Sequence, residues 1–160
     1  MKNDSTRKLT EGGMIAAFYV VLTVLSSLLG IANGPVQVRL SEALCILPAL
    51  TPAAVPGLFV GCFLGNLVTG CPIADVIAGA FTTLLAAWLT RILSKKIPEK
   101  PVIWTLPPVL LNTVVVTVLL VTVYGYSVPW YLLAAGVFLG ELISCTGLGL
   151  LLLKLLRKHI

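Results

Sequence analysis

The sequence predicts an all-α polytopic membrane protein of six transmembrane helices, with a short second helix and both termini in the cytoplasm. The first observation is composition: of the 160 residues, 58% are hydrophobic and only 11% are charged. Soluble domains carry about a quarter charged residues. The second observation is that the basic residues stand in clusters between apolar blocks. At this length we expect a single transmembrane domain, residues 1–160.

The basic clusters predict the topology. Ten of the 11 Lys and Arg residues fall into three groups, which are Lys2, Arg7 and Lys8; Arg91, Lys95, Lys96 and Lys100; and Lys154, Arg157 and Lys158. Cytoplasmic loops and tails of membrane proteins are enriched in such residues. The formal net charge of +5 therefore indicates membrane orientation, and we expect no nucleic-acid partner.

Four apolar blocks, residues 12–31, 73–93, 103–124 and 129–153, are each long enough to span a bilayer. Residues 40–70 are ambiguous, because one helix of that length would be about 46 Å long and would contain Pro48, Pro52 and Pro56. A single span there would also place the second basic cluster outside. Two helices keep all three clusters inside, so we predict helices at about 12–31, 38–50, 53–70, 73–93, 103–124 and 129–156.

The first block is longer than the apolar part of a signal peptide and no clear cleavage site follows it, so we interpret it as a span. The cysteines, Cys45, Cys62, Cys71 and Cys145, show no CxxC spacing and are expected to be small packing residues. His159 is the lone histidine. We therefore expect neither a metal site nor a cofactor.

Charged residues outside the cytoplasmic clusters are few: Arg39, Glu42, Asp75 and Glu141. An ionised side chain within a span costs about 2.5–3.5 kcal/mol on insertion scales, which makes such a residue a functional candidate. Arg39 is the only basic residue predicted on the outer side, and it shares a helix face with Glu42. Asp75 begins the fourth helix, and Asn66 lies near the outer end of the third. We expect these groups to lie at similar depth.

Structural explanations remain open for each of them. Arg39 and Glu42 could form only a local ion pair at a helix start. Asp75 could serve only as an N-terminal helix charge. Glu141 and Asn112 lie in the middle of predicted spans, where each could be a buried hydrogen-bonding group instead of a ligand contact.

Small residues recur at a spacing of four, in the sets Gly57, Gly61 and Gly65; Gly136 and Gly140; Gly12 and Ala16; and Gly13 and Ala17. Such faces let helix backbones approach closely in lipid. Most are expected to serve internal packing. The first helix is the candidate for docking a separate protein, since its small face lies at the cytoplasmic end.

Several catalytic motifs are missing from the sequence. It contains no GxxxxGK[ST] phosphate loop, no H-E-x-x-H and no GxSxG. We therefore expect no ATPase activity and no enzyme. A small binding subunit that takes its energy from partners fits this pattern.

The segments "NGPVQVRLSEALCILPALTPAAVPGLFVGCFLGNLVTG" and "ADVIAGAFTTLLAA" resemble the QueT family. Its members are substrate-binding S components of energy-coupling factor (ECF) transporters for queuosine precursors. The matching residues are Gln37, Arg39, Ser41, Glu42, Leu47, Pro48, Gly57, Gly61, Cys62, Asn66, Asp75 and Gly79.

The resemblance implies a bacterial cell membrane location and three partner chains, a transmembrane coupling subunit and two ATP-binding cassette subunits. It implies a coupling surface at Gly12, Gly13, Ala16 and Ala17, where related S components carry an AxxxA-like face. It also implies an S-component-like helical bundle.

The implied ligand is a 7-deazaguanine: preQ1, preQ0 or queuine. Glu42 or Glu141 would accept the N–H groups of the base edge, and Asp75 would hold an ammonium group. The base carbonyl would accept from Arg39, Gln37 or Asn66. Alternatives stay open: another purine-like base or vitamin, a small proton-coupled exporter using Glu141 or Asp75, or an intramembrane enzyme.

Overall fold

The computed structural model describes residues 2–32 and 36–159, and side chains for 4–32 and 36–158. Part of the predicted outer loop 32–39, namely residues 33–35, therefore lies outside the described residues, as do the side chains of Lys2 and His159.

The secondary structure of the described residues is helical and contains no strand, which confirms the all-α prediction. The helices are α1 (Lys2–Leu28), a 3-10 helix (Leu40–Ala49), α2 (Ala54–Val68), α3 (Ile73–Lys96), α4 (Pro101–Trp104), α5 (Leu106–Thr122), α6 (Trp130–Glu141), a π segment (Leu142–Leu148) and α7 (Gly149–His159).

Four helical stretches of the described chain are long and apolar enough to cross a membrane: Asp4–Leu28, Ile73–Lys96, Pro101–Thr122 and Trp130–Lys158. Leu40–Ala49 and Ala54–Val68 are also apolar but shorter. Residues 40–70 thus contain two helices, as predicted. The first helix begins at Lys2, ten residues before its predicted start.

The helix predicted at 38–50 is a 3-10 helix with Pro48 inside it. A 3-10 helix rises about 2.0 Å per residue, so these ten residues reach about 20 Å. Arg91 Nη1 donates hydrogen bonds to the carbonyl oxygens of Pro48 at 3.0 Å and Ala49 at 3.3 Å. These bonds satisfy acceptors at the end of the helix, where intrahelical donors run out.

Glycines bring α1 and α2 into close contact. A Cβ atom at Gly57 would lie 2.6 Å from the carbonyl oxygen of Gly12, and one at Gly61 would lie 2.7 Å from Cβ of Tyr19. The glycine face of α2 therefore serves internal packing, as expected, and it packs against Gly12 and Ala16 of the α1 face that was expected to dock a separate protein. Gly12 and Ala16 are buried, whereas Gly13 and Ala17 are exposed.

The basic clusters meet at one end of the bundle. Lys8 and Pro52 line the same groove there, and Arg91 contacts the end of the 3-10 helix. The guanidinium of Arg157 lies 5.4 Å from the ring centroid of Trp104. At the opposite end the turns after α1, α2 and α5 come together around one cavity.

The last predicted helix is interrupted by a π segment, Leu142–Leu148, which packs against the 3-10 helix. Ser144 in this segment accepts a hydrogen bond from the backbone N–H of Arg39 at 3.1 Å. This hydrogen bond holds the start of the 3-10 helix against the last membrane helix.

Candidate ligand-binding site

A cavity of about 160 Å³ lies at the end of the bundle opposite the basic clusters. We call it the outer cavity, and its lining residues are Ala32, Gln37, Arg39, Cys71, Asp75, Val116, Leu119, Leu120, Tyr124 and Tyr126. A smaller pocket of about 70 Å³ adjoins it and includes Asn66. Both are lined by Arg39 and Cys71. Four of the six predicted site residues therefore line these two spaces.

Arg39 is held by two contacts on different parts of the chain. Its backbone N–H donates to Ser144 Oγ, and its Nη2 donates to Oε1 of Gln37 at 3.4 Å. In the described part of the chain the only ion pair within 4.0 Å joins Lys8 and Asp4, so a local Arg39–Glu42 ion pair is ruled out at that distance. Arg39 lines the outer cavity instead.

Asp75 lies in the first turn of α3 and is also a hydrogen-bond acceptor within the site. The residue is 3% exposed, and its Oδ2 accepts a hydrogen bond from the Tyr124 hydroxyl at 2.5 Å. Tyr124 follows α5 and was not among the predicted site residues. Its position on the outer side, at the depth of Asp75, was the signal that could have placed it in the site.

Asn66 and Asp75 converge on Gly79. A Cβ atom at Gly79 would lie 3.0 Å from Nδ2 of Asn66 and 3.5 Å from Oδ1 of Asp75. Asn66 Nδ2 also donates to Sγ of Cys62 at 3.7 Å. Glycine at this position thus leaves room for both polar side chains between α2 and α3.

Glu42 and Glu141 belong to a separate, buried group that we call the carboxylate cluster. Its members are Tyr19, Glu42, Cys45, Asn112, Glu141 and Cys145, and all are buried. Glu42 accepts hydrogen bonds from the Tyr19 hydroxyl, from Cys45 Sγ at 3.1 Å and from Asn112 Nδ2 at 3.2 Å. Asn112 Nδ2 also donates to Oε1 of Glu141 at 3.2 Å.

The cluster lies deeper than the outer cavity. Val116 lines the cavity and stands four residues after Asn112 on α5, which is about 6 Å along a helix. The structure therefore divides the predicted residues into two layers. Gln37, Arg39, Asp75 and Asn66 form the outer layer, and Glu42 and Glu141 form the inner one.

The site carries an excess of acidic groups. Asp75, Glu42 and Glu141 are buried, and among the described residues Arg39 is the one basic side chain lining the outer cavity. Three buried carboxyl groups thus stand against one guanidinium. Buried charges are costly without partners, so the arrangement favours a ligand that brings N–H donors and positive charge.

Three cluster members went unrecognised in the sequence. Cys45 and Cys145 were predicted only to pack, yet Cys45 donates to Glu42, and Cys145 Sγ donates to Oε2 of Glu141 at 3.1 Å. Tyr19 had no predicted role in the site. A hydroxyl in the middle of the first span was the available signal, because a buried tyrosine hydroxyl usually finds a partner.

An apolar helical bundle with a buried polar site beneath a cavity at one end fits the class of membrane proteins that bind a small polar molecule. The family model of the QueT transporter matches residues 9–158. The chain belongs to this family.

A curated relative is the queuosine precursor transporter QueT of Lactococcus lactis subsp. cremoris (strain MG1363), to which the chain is 30% identical over 99 residues. This alignment covers 62% of the chain and 58% of the relative, so the match spans little more than half of that protein's length. No solved structure matches the chain significantly.

Proposed function

We propose that this protein is the substrate-binding S component of an ATP-driven ECF importer, and that it captures a 7-deazaguanine precursor of queuosine from outside. Family membership and the name of the Lactococcus relative support the substrate class. The observation that carries the proposal is the placement of buried carboxylates beneath a cavity lined by Gln37, Arg39 and Asp75.

The inner layer suits the edge of a guanine-like base. That edge presents adjacent N–H donors, and the two oxygens of a carboxylate can accept both. Glu42 and Glu141 already accept from thiol and amide donors, so base N–H groups can replace the weak thiol donors. Hydrogen bonds to charged groups contribute about 1.5–3 kcal/mol each.

The outer layer suits the rest of the ligand. The Arg39 guanidinium or the Gln37 amide would donate to the base carbonyl, and Asp75 would hold the ammonium group of the aminomethyl form, preQ1. Pockets for drug-sized ligands measure about 300–1,000 Å³, whereas the outer cavity has about 160 Å³. The smaller size favours preQ1 or preQ0 over queuine, which carries an additional ring.

The orientation follows from the basic clusters. They share one end of the bundle, which the positive-inside rule assigns to the cytoplasm. Six crossings, both termini inside and the outer cavity facing outward are consistent with that assignment. The exposed Gly13 and Ala17 would face the transmembrane coupling subunit, and two ATP-binding cassette subunits would supply the energy.

Titration calorimetry on the whole purified chain in detergent tests the proposal. We expect tight binding of one 7-deazaguanine among preQ1, preQ0 and queuine, and much weaker binding of guanine. Glu42→Gln should weaken binding more than tenfold, because an amide offers one acceptor where the carboxylate offers two. Glu99→Gln is the matched control, since Glu99 is exposed near the opposite end. Absence of binding by all three 7-deazaguanines would overturn the substrate assignment.

The second candidate is a proton-coupled transporter, which is favoured by the two buried carboxylates that share Asn112 Nδ2. It predicts transport without ATP-binding partners and loss of transport when an uncoupler is added. Uptake of labelled ligand in cells with and without the cassette subunits separates the two candidates. Uptake that needs the cassette subunits and tolerates the uncoupler supports the ECF proposal.

A further inference from the structure

Two thiols and a carboxylate meet within the carboxylate cluster. Sγ of Cys45 lies 3.1 Å and Sγ of Cys145 lies 3.9 Å from the same Oε2 atom of Glu42. One donor atom from each of the three residues lies within 4.8 Å of the other two, and all three side chains are buried. The thiols come from the 3-10 helix and the π segment, which are nearly one hundred residues apart in the sequence.

These separations are close to those of a metal-binding site. Around a tetrahedral zinc ion, metal–sulfur bonds of about 2.3 Å and metal–oxygen bonds of about 2.0–2.2 Å place neighbouring ligand atoms about 3.5–3.8 Å apart. The observed contacts of 3.1 and 3.9 Å lie on either side of that range. Movements of a few tenths of an ångström in these two contacts would bring them into it.

The surroundings also fit a metal. The Tyr19 hydroxyl and Asn112 Nδ2 donate to Glu42, and such outer hydrogen bonds orient the carboxylate ligands of metal sites.

The charge of the three ligands also suits a divalent ion. Two thiolates and the Glu42 carboxylate carry three negative charges, and a divalent ion would offset two of them. Binding would release the two thiol protons to solvent.

We propose that Glu42, Cys45 and Cys145 form a site for a thiophilic divalent cation such as Zn²⁺ or Cd²⁺, at the floor of the ligand-binding site. Thiolate ligands select soft and borderline ions over Mg²⁺ or Ca²⁺. Because Glu42 would serve both ligands, the ion and the 7-deazaguanine compete. Only this competition rests on the proposed function, since ion binding itself requires no purine.

Cadmium titration of the whole chain tests the ion site. The metal-free protein is held in detergent with a thiol-free reductant, and thiolate-to-metal charge transfer is followed in the ultraviolet. We expect a saturable band that is lost in Cys45→Ser and in Cys145→Ser. Cys71→Ser should keep it, because Cys71 lines the outer cavity and lies outside the cluster.

Cys45→Ala and Cys145→Ala are titrated in the same way, and thermal unfolding shows whether each variant is folded. Loss of the band in a folded variant is then attributed to loss of the thiol that binds the metal. Absence of a band in the unaltered chain would overturn the ion site. So would a band that survives in both cluster variants.

Competition is measured by repeating the titration with saturating preQ1, where we expect the apparent Cd²⁺ affinity to fall at least tenfold. Binding of preQ1 that leaves the Cd²⁺ affinity unchanged would overturn the shared use of Glu42. If no 7-deazaguanine binds at all, the proposed function fails, and the first titration still decides the ion site.

Discussion

Substitution of Gly140 by alanine links packing directly to the binding site. A Cβ atom at this position of α6 would lie 2.0 Å from the carbonyl oxygen and 2.7 Å from the carbonyl carbon of Gln37. Real Cβ contacts do not fall below about 3.0 Å, so the Gln37 backbone must retreat by about 1.0 Å, the difference between 3.0 and 2.0 Å. No rotamer change relieves the clash, because the nearest atoms are backbone. Overpacking of this kind costs about 1–3 kcal/mol of stability.

The same retreat displaces two donors of the outer cavity, Gln37 itself and Arg39 two residues later. Loss of one hydrogen bond from a charged donor costs about 1.5–3 kcal/mol, which corresponds to about 10- to 150-fold in affinity. We therefore expect Gly140→Ala to bind preQ1 at least tenfold more weakly by calorimetry and to unfold at a lower temperature.

Gly147→Ala is the control for this substitution. Its Cβ would lie 3.8 Å from the carbonyl oxygen of Leu142, an ordinary contact. Both affinity and unfolding temperature should then stay close to those of the unaltered chain. A Gly140→Ala protein whose affinity lies within twofold of the original and whose unfolding temperature is unchanged would refute the reasoning.

Three further predictions concern the helix contact and the two layers of the site. Gly57→Ala should lower the unfolding temperature, because its Cβ would lie 2.6 Å from a backbone oxygen, whereas Gly13→Ala, with nothing within 4 Å, should not; equal unfolding temperatures would contradict this. Tyr19→Phe removes a hydrogen-bond donor from the buried Glu42 and should cost about 1–3 kcal/mol of stability, so unaltered thermal unfolding would count against that bond. Asp75→Asn should weaken calorimetric binding of preQ1 at least tenfold more than that of preQ0, which lacks the ammonium group, and an equal loss for both ligands would remove Asp75 as the ammonium partner.

The sequence predicts where helices occur better than it predicts their first and last residues or their helix type. Prolines and charge parity were enough to divide residues 40–70 into two helices, because both report on whether one span fits the bilayer. Hydropathy could not locate the start of α1 at Lys2, since residues 2–11 are polar apart from Leu9 and lie outside the apolar block that hydropathy detects. The 3-10 type of Leu40–Ala49 was not predicted either, because local sequence sets the helix type less strongly than tertiary packing does.

The sequence was enough to identify the charged residues of the site. It was not enough to show that these residues lie in an outer and an inner layer. Arg39 and Asp75 stood out because charged groups are rare in apolar chains. Their separation from Glu42 and Glu141 depends on how each helix is rotated against its neighbours, which spacing along one chain does not determine. Cys145 escaped notice because its small apolar character conceals a hydrogen-bond donor, which becomes visible only when Glu141 is placed beside it.

The π segment Leu142–Leu148 has a consequence for tolerance to changes in chain length. A π turn holds one more residue than the α-helix needs for the same rise. Deletion of one residue there can be absorbed by a return to α-helical hydrogen bonding, and α7 keeps its rotation, so Arg157 stays over Trp104. The same deletion at the start of α7 would turn the rest of that helix by about 100° and remove Leu153 from its contact with Trp104 and Ile46. Single-residue length differences should therefore be tolerated within the π segment and rejected just after it.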